Sequence, residues 1–479
     1  MYELANRGLD VVTGLGAVYG DIRIIESKSE IIYVKNGQVA VLHGGTSYGF
    51  GIRVIVDGSW GFAASPVVEP EEVTRVAEEA VRVARASARL RNRFVTLPPG
   101  RRESAVWCSP VEENPFAVSM DEKIGLLLQC DKLMAAVKGV TLTSAHLHIE
   151  TEKKVYADSE GARIQQEITH TGTGIEATAV TADEMQRRSY PTSFGGQYGS
   201  AGYELVRAMA LPEHAPRIAG EAVALLAARP CPSGVKDIIL SSDQLALQIH
   251  ESCGHPAELD RVMGSEISDY GTSFLTPEKL NTFRYGSELV TLYADPRIPG
   301  GLGSYAYDDE GVPARRTDLV RNGLFCGYLV SRETAPLVNQ EPNGSMRADG
   351  WNNMPLIRIT NINLEPGDAS LDQLISETED GLYMLTNKSW SIDEQRLNFQ
   401  FGTEIAYEIK GGKLGDMVKN PTYGGSTPSF WNSCDGIAGP DEWLLWGVPN
   451  CGKGEPDQGA RVGHGAAPAR FRNVKVGVV

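Results

Sequence analysis

From Ser29 to Leu42 the segment SEIIYVKNGQVAVL alternates apolar and polar positions around Asn36-Gly37, a dipeptide suited to a tight hairpin turn. The next alternating segment, GFGIRVIVDGSWGFAAS, carries a second such turn at Asp57-Gly58. After Pro66 the period changes: Val73, Val76, Ala77, Ala80 and Ala84 recur at helical steps, with Glu69, Glu71 and Glu72 at the end where acidic groups favour the helix dipole. This opening part therefore reads as strand, strand, helix. Ser119 followed by Glu122 has capping-box spacing and predicts a second helix that stops at Gly139. TLTSAHLHIE, KKVYADSEG, ARIQQEITH and GIEATAV then predict an antiparallel meander. A helical stretch from Ala215 to Ala228 ends in RPCPSG, a Pro/Gly-rich candidate boundary.

Beyond it the texture changes. The strand VKDIIL is followed by short segments such as SELVTLYAD, GLFCGYLVS, PLIRITNINL and TEIAYEIKGGKL, separated by Gly, Pro, Asn and Asp. The expected class is α+β with two domains: an N-terminal α/β domain over 1–230 and a β-rich, antiparallel, barrel-like domain over 231–479.

Composition agrees with a large soluble core, at 42% hydrophobic and 22% charged residues in 479, and the 52 glycines favour turns and strands. The 45 basic against 61 acidic side chains give a net charge of −16 with no basic block, which argues against nucleic acid or an anionic membrane as partner. No secretory signal is read at the start, and seven scattered cysteines do not form a disulfide pattern, so a cytoplasmic location is expected.

The chemistry concentrates in LALQIHESCGHPAELD, Leu245–Asp260. His250-Glu251 with a further His255 has the residue types of a zinc hydrolase, but the histidines are five apart rather than four. On a straight α-helix, positions five apart diverge by about 140°, so the two imidazoles could not share one ion. Two escapes exist: a π-type turn that superposes them, or a left-handed Gly254 that ends the helix before Pro256. A water-activating zinc needs a third protein ligand, for which Cys253, Cys434, Cys451, His464, Glu258 and Asp260 are all chemically suitable. Glu251 has the chemistry of a general base. Weaker candidates are the same-face pair His146 and His148, the acidic Asp308-Asp309-Glu310, the glycine-rich FGGQYGSAGYE, and Arg347 and Arg358.

His250-Glu251-x-x-x-His255, the late segment WGVPNCGKGEPDQGARVGHG, and GFGIRVIVDGSWGFA, YDDEGVPARRTDLVRNGLFCGYL and PLIRITNINLEPG in this order resemble the TldD/PmbA family, on its TldD side. The resemblance implies a zinc (Zn2+) metalloprotease with His250, His255 and Cys451 as metal ligands and Glu251 as catalytic carboxylate. It also implies peptide or unfolded-protein substrates bound as an extended strand, and a homodimer or a heterodimer with a PmbA/TldE-type subunit. The alternative is a non-catalytic subunit of such a complex. Cys253, His464 and GSAGYE at 199–204 depart from the family pattern.

Overall fold

The computed structural model describes residues 1–266 and 271–477. Its first half is one mixed sheet: β1 (Tyr19–Lys35), β2 (Gln38–Val56), β3 (Ser59–Ser65), β4 (Ser104–Cys108), β5 (Val140–Asp158), β6 (Arg163–Val180), β7 (Met185–Tyr190) and β8 (Gln197–Gly199). The strand order is β3-β2-β1-β5-β6-β4, and β7 and β8 also pair with β6. Asn36-Gly37 and Asp57-Gly58 make the turns, all four residues at positive φ (48°, 75°, 52° and 71°), as two-residue hairpins of matching twist require.

Three helices can be labelled here: α1 (Tyr2–Gly14), α2 (Pro70–Ala88) and α3 (Met120–Ala135). The predicted stripe of α2 is fully buried against α1 and the sheet. The Ser119 hydroxyl accepts from the Glu122 N–H at 3.2 Å, capping α3 as expected. The sequence reading omits α1, whose pattern is interrupted by Gly8. Helical glycine is disfavoured, yet a Cβ there would meet Val73 at 3.1 Å and Ile52 at 3.3 Å, so the small residue permits the packing.

The expected four-segment meander is two long strands. The polar stretch Glu150–Lys154 is not a turn but the middle of β5. Alternation explains it. Ala145, Leu147, Ile149, Val155 and Ala157 face the helices. Glu150, Glu152 and Lys154 face the other way, together with Gln166 and His170 of β6, and line a cavity of about 290 Å³ against the C-terminal half.

In that half, strands Gly234–Leu240, Asp380–Ile392, Asn398–Lys410, Thr422–Ser426 and Ala469–Val476 close on themselves into a five-stranded barrel. Barrel closure leaves no edge inside the ring. Within the ring one pair departs from the antiparallel expectation: Asp237–Leu240 runs parallel to Gly381–Met384. Arg229–Pro230, at the expected boundary, pairs with Val418–Lys419 of the C-terminal sheet.

Asp308, Asp309 and Glu310 rivet the halves together. Asp309 lies 2.8 Å from Lys154 and 3.7 Å from Arg23. Glu310 meets Arg53 at 3.3 Å and accepts from the Arg332 N–H at 2.7 Å. Asp308 accepts three backbone N–H groups, from Glu310, Val312 and Met346. All three carboxylates are buried, so the cluster serves as a charged seam between halves. Breaking one partner of a buried pair strands a charge. Lys154→Met is expected to lower unfolding free energy by about 3–5 kcal/mol in urea titration. Burial pushes the Asp309 carboxyl up, but Lys154 and Arg23 outweigh it and hold it below the usual range. Its contribution should therefore be complete above about pH 4 and fade as pH falls through the depressed folded value.

Candidate active site

The Gly234–Leu240 barrel strand runs directly into the helix Ser242–Ile249. Ser241 precedes it, but its hydroxyl donates to Asp243 instead of capping the helix. At His250 the α-helix becomes a π-turn, His250–Gly254, closed by a hydrogen bond from the His255 N–H to the His250 carbonyl. This is the first of the two escapes. The left-handed alternative is excluded, because Gly254 sits at φ −58°. Glycine is required for another reason: a Cβ there would lie 2.8 Å from Ile359 Cδ1.

Widening a helix displaces carbonyls from their usual partners. Buried residues from elsewhere take them up. The Tyr285 hydroxyl donates to the Ser252 carbonyl at 2.8 Å, the Ser252 hydroxyl donates to the Gln248 carbonyl at 2.5 Å, and Trp431 Nε1 donates to that same hydroxyl at 2.9 Å.

The turn turns His250 and His255 towards each other, ring centroids 4.8 Å apart and nearly perpendicular. Cys451 arrives on the hairpin Leu444–Lys453/Gln458–Ala466, just past a bulge between Val448 and Cys451. Bulges re-aim side chains. Ligand atoms of His250, His255 and Cys451 all lie within 4.8 Å of one another, and no other such group of His, Cys, Asp or Glu occurs among the described residues. Cys451 Sγ is 3.5 Å from His255 Nε2.

The hydrogen bonds behind the rings fix which nitrogen faces inward. His464 donates from Nδ1 to the Ile362 carbonyl at 3.2 Å, so its Nε2 accepts from His250 Nδ1 at 2.8 Å. His255 donates from Nδ1 to Glu258 Oε2 at 2.9 Å. Both imidazoles therefore keep the Nε2 lone pair for the centre, the arrangement that orients metal-binding histidines. Burial pulls both histidines below their usual pKa. Burial pushes the Cys451 thiol up, but His255 and Arg358 outweigh it and leave it lowered, towards thiolate. Two imidazoles and a thiol are a donor set that suits zinc, whose bonds of about 2.0–2.3 Å would draw the ligand atoms to roughly 3.3–3.7 Å of one another, a spacing Cys451 and His255 already have.

The other candidates have other partners. Glu258 and His464 orient the two imidazoles. Asp260 accepts from Lys453 Nζ at 2.7 Å and from the Ile357 N–H at 3.2 Å. Cys253 and Cys434 are buried in the apolar core. Arg347 donates to the Arg461 and Ile359 carbonyls and Arg358 to those of Gln458 and Cys451, so both hold the Cys451 hairpin by its backbone. His146 lies 3.3 Å from the Tyr198 hydroxyl and His148 lies 3.8 Å from Glu150, with no third ligand between them. Gly195 and Gly196, at positive φ, pack against the backbone of β6 rather than frame a phosphate site.

Glu251, buried beside His250, accepts from Arg396 Nη1 at 2.5 Å. Sequence reasoning missed Arg396, which sits on a hairpin tip in a left-handed conformation (φ 62°). No local pattern ties it to a residue so far away in the chain. Glu258 carried a faint signal, one helical turn after His255.

With this geometry in view, the chain's likenesses are informative. The half with the barrel, the histidine-bearing helix and the cysteine hairpin is matched by a model of the PmbA/TldA metallopeptidase C-terminal domain over 233–478, and the first half by models of domain 1 over 20–84 and the central domain over 113–229. The chain belongs to the PmbA/TldD family. It is 33% identical to a metalloprotease of Methanothermobacter thermautotrophicus (96% of this chain, 95% of that one). It is 30% identical to a metalloprotease of Methanocaldococcus jannaschii (94% and 95%), and 23% identical to a zinc metalloprotease TldD homolog of Saccharolobus solfataricus (97% of each). In fold it resembles the crystal structure of TldE from Thermococcus kodakarensis, with TM-score 0.75 at 18% identity over 99% of each chain. No helix among the described residues is long and apolar enough to cross a membrane.

Two substitutions test the widened turn. Gly254→Ala should cost about 1–3 kcal/mol through overpacking against Ile359. Tyr285→Phe should cost about 1–3 kcal/mol by leaving the buried Ser252 carbonyl without its donor. Chemical denaturation reads both.

Proposed function

We propose that this chain is a zinc-dependent peptidase whose metal is held by His250, His255 and Cys451, with Glu251 as general base, acting on peptides or unfolded segments. The observation that carries the reading is the convergence of two inward Nε2 lone pairs and one thiol at a buried point beside a carboxylate. The metalloprotease names of the relatives support it.

Zinc supplies Lewis acidity there, polarising a carbonyl and lowering the pKa of water towards about 7. His464 and Glu258 hold the imidazoles in the tautomer that leaves Nε2 free. The Glu251 carboxylate takes a proton from the attacking water and returns it to the leaving amine nitrogen. Arg396 anchors that carboxylate in place. Lys453, 2.7 Å from Asp260 and 3.5 Å from Glu258, balances the acidic groups behind His255.

We further propose two units, 1–230 and 231–479, supported by the confinement of β1–β8 to the first. A cytoplasmic location and a dimer, with itself or with a TldE-type subunit, complete the proposal.

Protein purified without chelator should contain about one zinc per chain by elemental analysis, and less than about half an equivalent would overturn the catalytic reading. Glu251→Gln should keep the zinc and lose about 10²–10⁴-fold in kcat/KM on an unfolded peptide. Cys451→Ser should lose the metal first. Full activity in Glu251→Gln would remove the base assignment.

A further inference from the structure

We propose that a cavity of about 220 Å³ between the two halves binds a small organic carboxylate with an apolar body, and that this anion reinforces the junction. The segment Pro98–Arg101 of the first half faces Glu310–Pro313, Arg315 and Arg332 of the second across it. The volume falls below the roughly 300–1,000 Å³ of pockets for drug-sized ligands, so the occupant is small. The cavity includes none of His250, Glu251, His255 or Cys451.

Three guanidiniums line this cavity, and much of their donor capacity is unused. Arg332 is buried, and its Nη2 donates to the Pro98 carbonyl and to Glu160 Oε2, both at 2.6 Å. Its Nη1 has no hydrogen-bond partner, with the Tyr19 ring centroid 5.2 Å from the guanidinium carbon. A buried N–H without an acceptor is costly. Arg315 donates once, from Nη2 to the Glu341 carbonyl at 2.8 Å, and the Arg101 side chain has no acceptor among the described residues. Burial pulls the Arg315 guanidinium below its usual pKa, Glu341 opposes this, and the charge of Arg101 adds to it. The carboxylates of the same walls are largely engaged already. Asp158 Oδ1 accepts the N–H groups of Glu160, Gly161 and Ala162 at 3.0, 2.8 and 2.9 Å. Glu310 accepts from Arg53 and from the Arg332 N–H, which leaves only the exposed Glu341. The site therefore offers donors in excess of acceptors, and an anion supplies what is missing.

The walls select the kind of anion. Pro98, Pro99, Pro313 and Pro342 carry no backbone N–H and, with Val312, make apolar surface. A ligand must take its hydrogen bonds from the guanidiniums and lay an apolar group on the rest. Asp158, Glu310 and Glu341 stand among the three arginines, so a single added negative charge is tolerated better than the two of a phosphate. The planar fork of a guanidinium also matches a carboxylate. Because both halves supply walls, an occupant holds them together by mass action. From Arg332 the chain leads back to Leu329, whose N–H donates to the Ala257 carbonyl at 2.8 Å and whose carbonyl accepts the Leu259 N–H at 3.1 Å. One wall of the cavity thus continues into the turn that follows His255.

The test reads binding by the full chain rather than activity, so it stands or falls separately from the peptidase reading. In calorimetric titration isocaproate should bind, and its uncharged amide should bind at least about tenfold more weakly. Arg101→Gln and Arg315→Gln should each weaken isocaproate at least about tenfold. Arg101→Gln removes no hydrogen bond, so the thermal midpoint of that variant without ligand should equal that of the wild type. Bound isocaproate should slow amide exchange on both sides of the cavity, at Gly100 and Arg101 and at Gly311 and Val312. Absence of binding at millimolar isocaproate overturns the proposal. So does a dissociation constant that is the same in the wild type and both variants, since the acid then sits elsewhere. Equal binding of the amide, or of inorganic phosphate, also overturns it.

Discussion

The widened turn at His250–Gly254 is the constraint on which the site depends. An ordinary α-helix would send the two histidines to different sides, and one additional residue in the turn brings them together. That residue is not accommodated locally. The displaced carbonyls need a tyrosine from the 285 region and a serine hydroxyl within the turn, itself held by a tryptophan from the 431 region. The close approach of Ile359 needs a glycine. Residues far apart in the chain therefore meet at one helical turn, and the core of the C-terminal half is organised around keeping that turn open.

A second constraint joins the halves. The N-terminal sheet buries an apolar face under its own helices and presents a polar one to the barrel side, where Arg23, Arg53 and Lys154 meet Asp309 and Glu310. Charge pairing of this kind fixes orientation more than it adds stability, since desolvation offsets much of the attraction. Arg347 and Arg358 act similarly on the Cys451 hairpin, gripping carbonyls rather than side chains. The cysteine is thus placed through the backbone of its own hairpin.

Much of the architecture was legible in the sequence because it is local. Alternation around Asn36-Gly37, the stripe of α2 and the Ser119 cap each involve residues within a few positions, and each appears where it was expected. The spacing of His250 and His255 narrowed the local geometry to two options, and the structure selected the π-turn. What could not be read depends on distant partners. The polar middle of β5 looks like a loop until Asp309 and Arg461 are seen opposite it. Asp308-Asp309-Glu310 looks like a ligand-binding loop until the arginines of the first half reach it. Arg396 beside Glu251 left no trace in local pattern. Spacing alone left six chemically suitable third ligands; the family resemblance pointed to Cys451, and the fold brings that thiol beside the two histidines with an imidazole and a carboxylate standing behind them.

The two imidazoles of the centre are backed by unlike acceptors, a neutral ring behind His250 and a carboxylate behind His255. A carboxylate draws the Nδ1 proton more strongly and leaves the opposite nitrogen the better electron donor. The cluster is therefore electronically lopsided: its electron-rich side is formed by His255 and the neighbouring Cys451, and its yielding side by His250. A cation seated there would hold to the former pair and exchange most readily along the His250 direction, next to Glu251. The asymmetry of the site is thus set by what stands behind the rings as much as by the rings themselves.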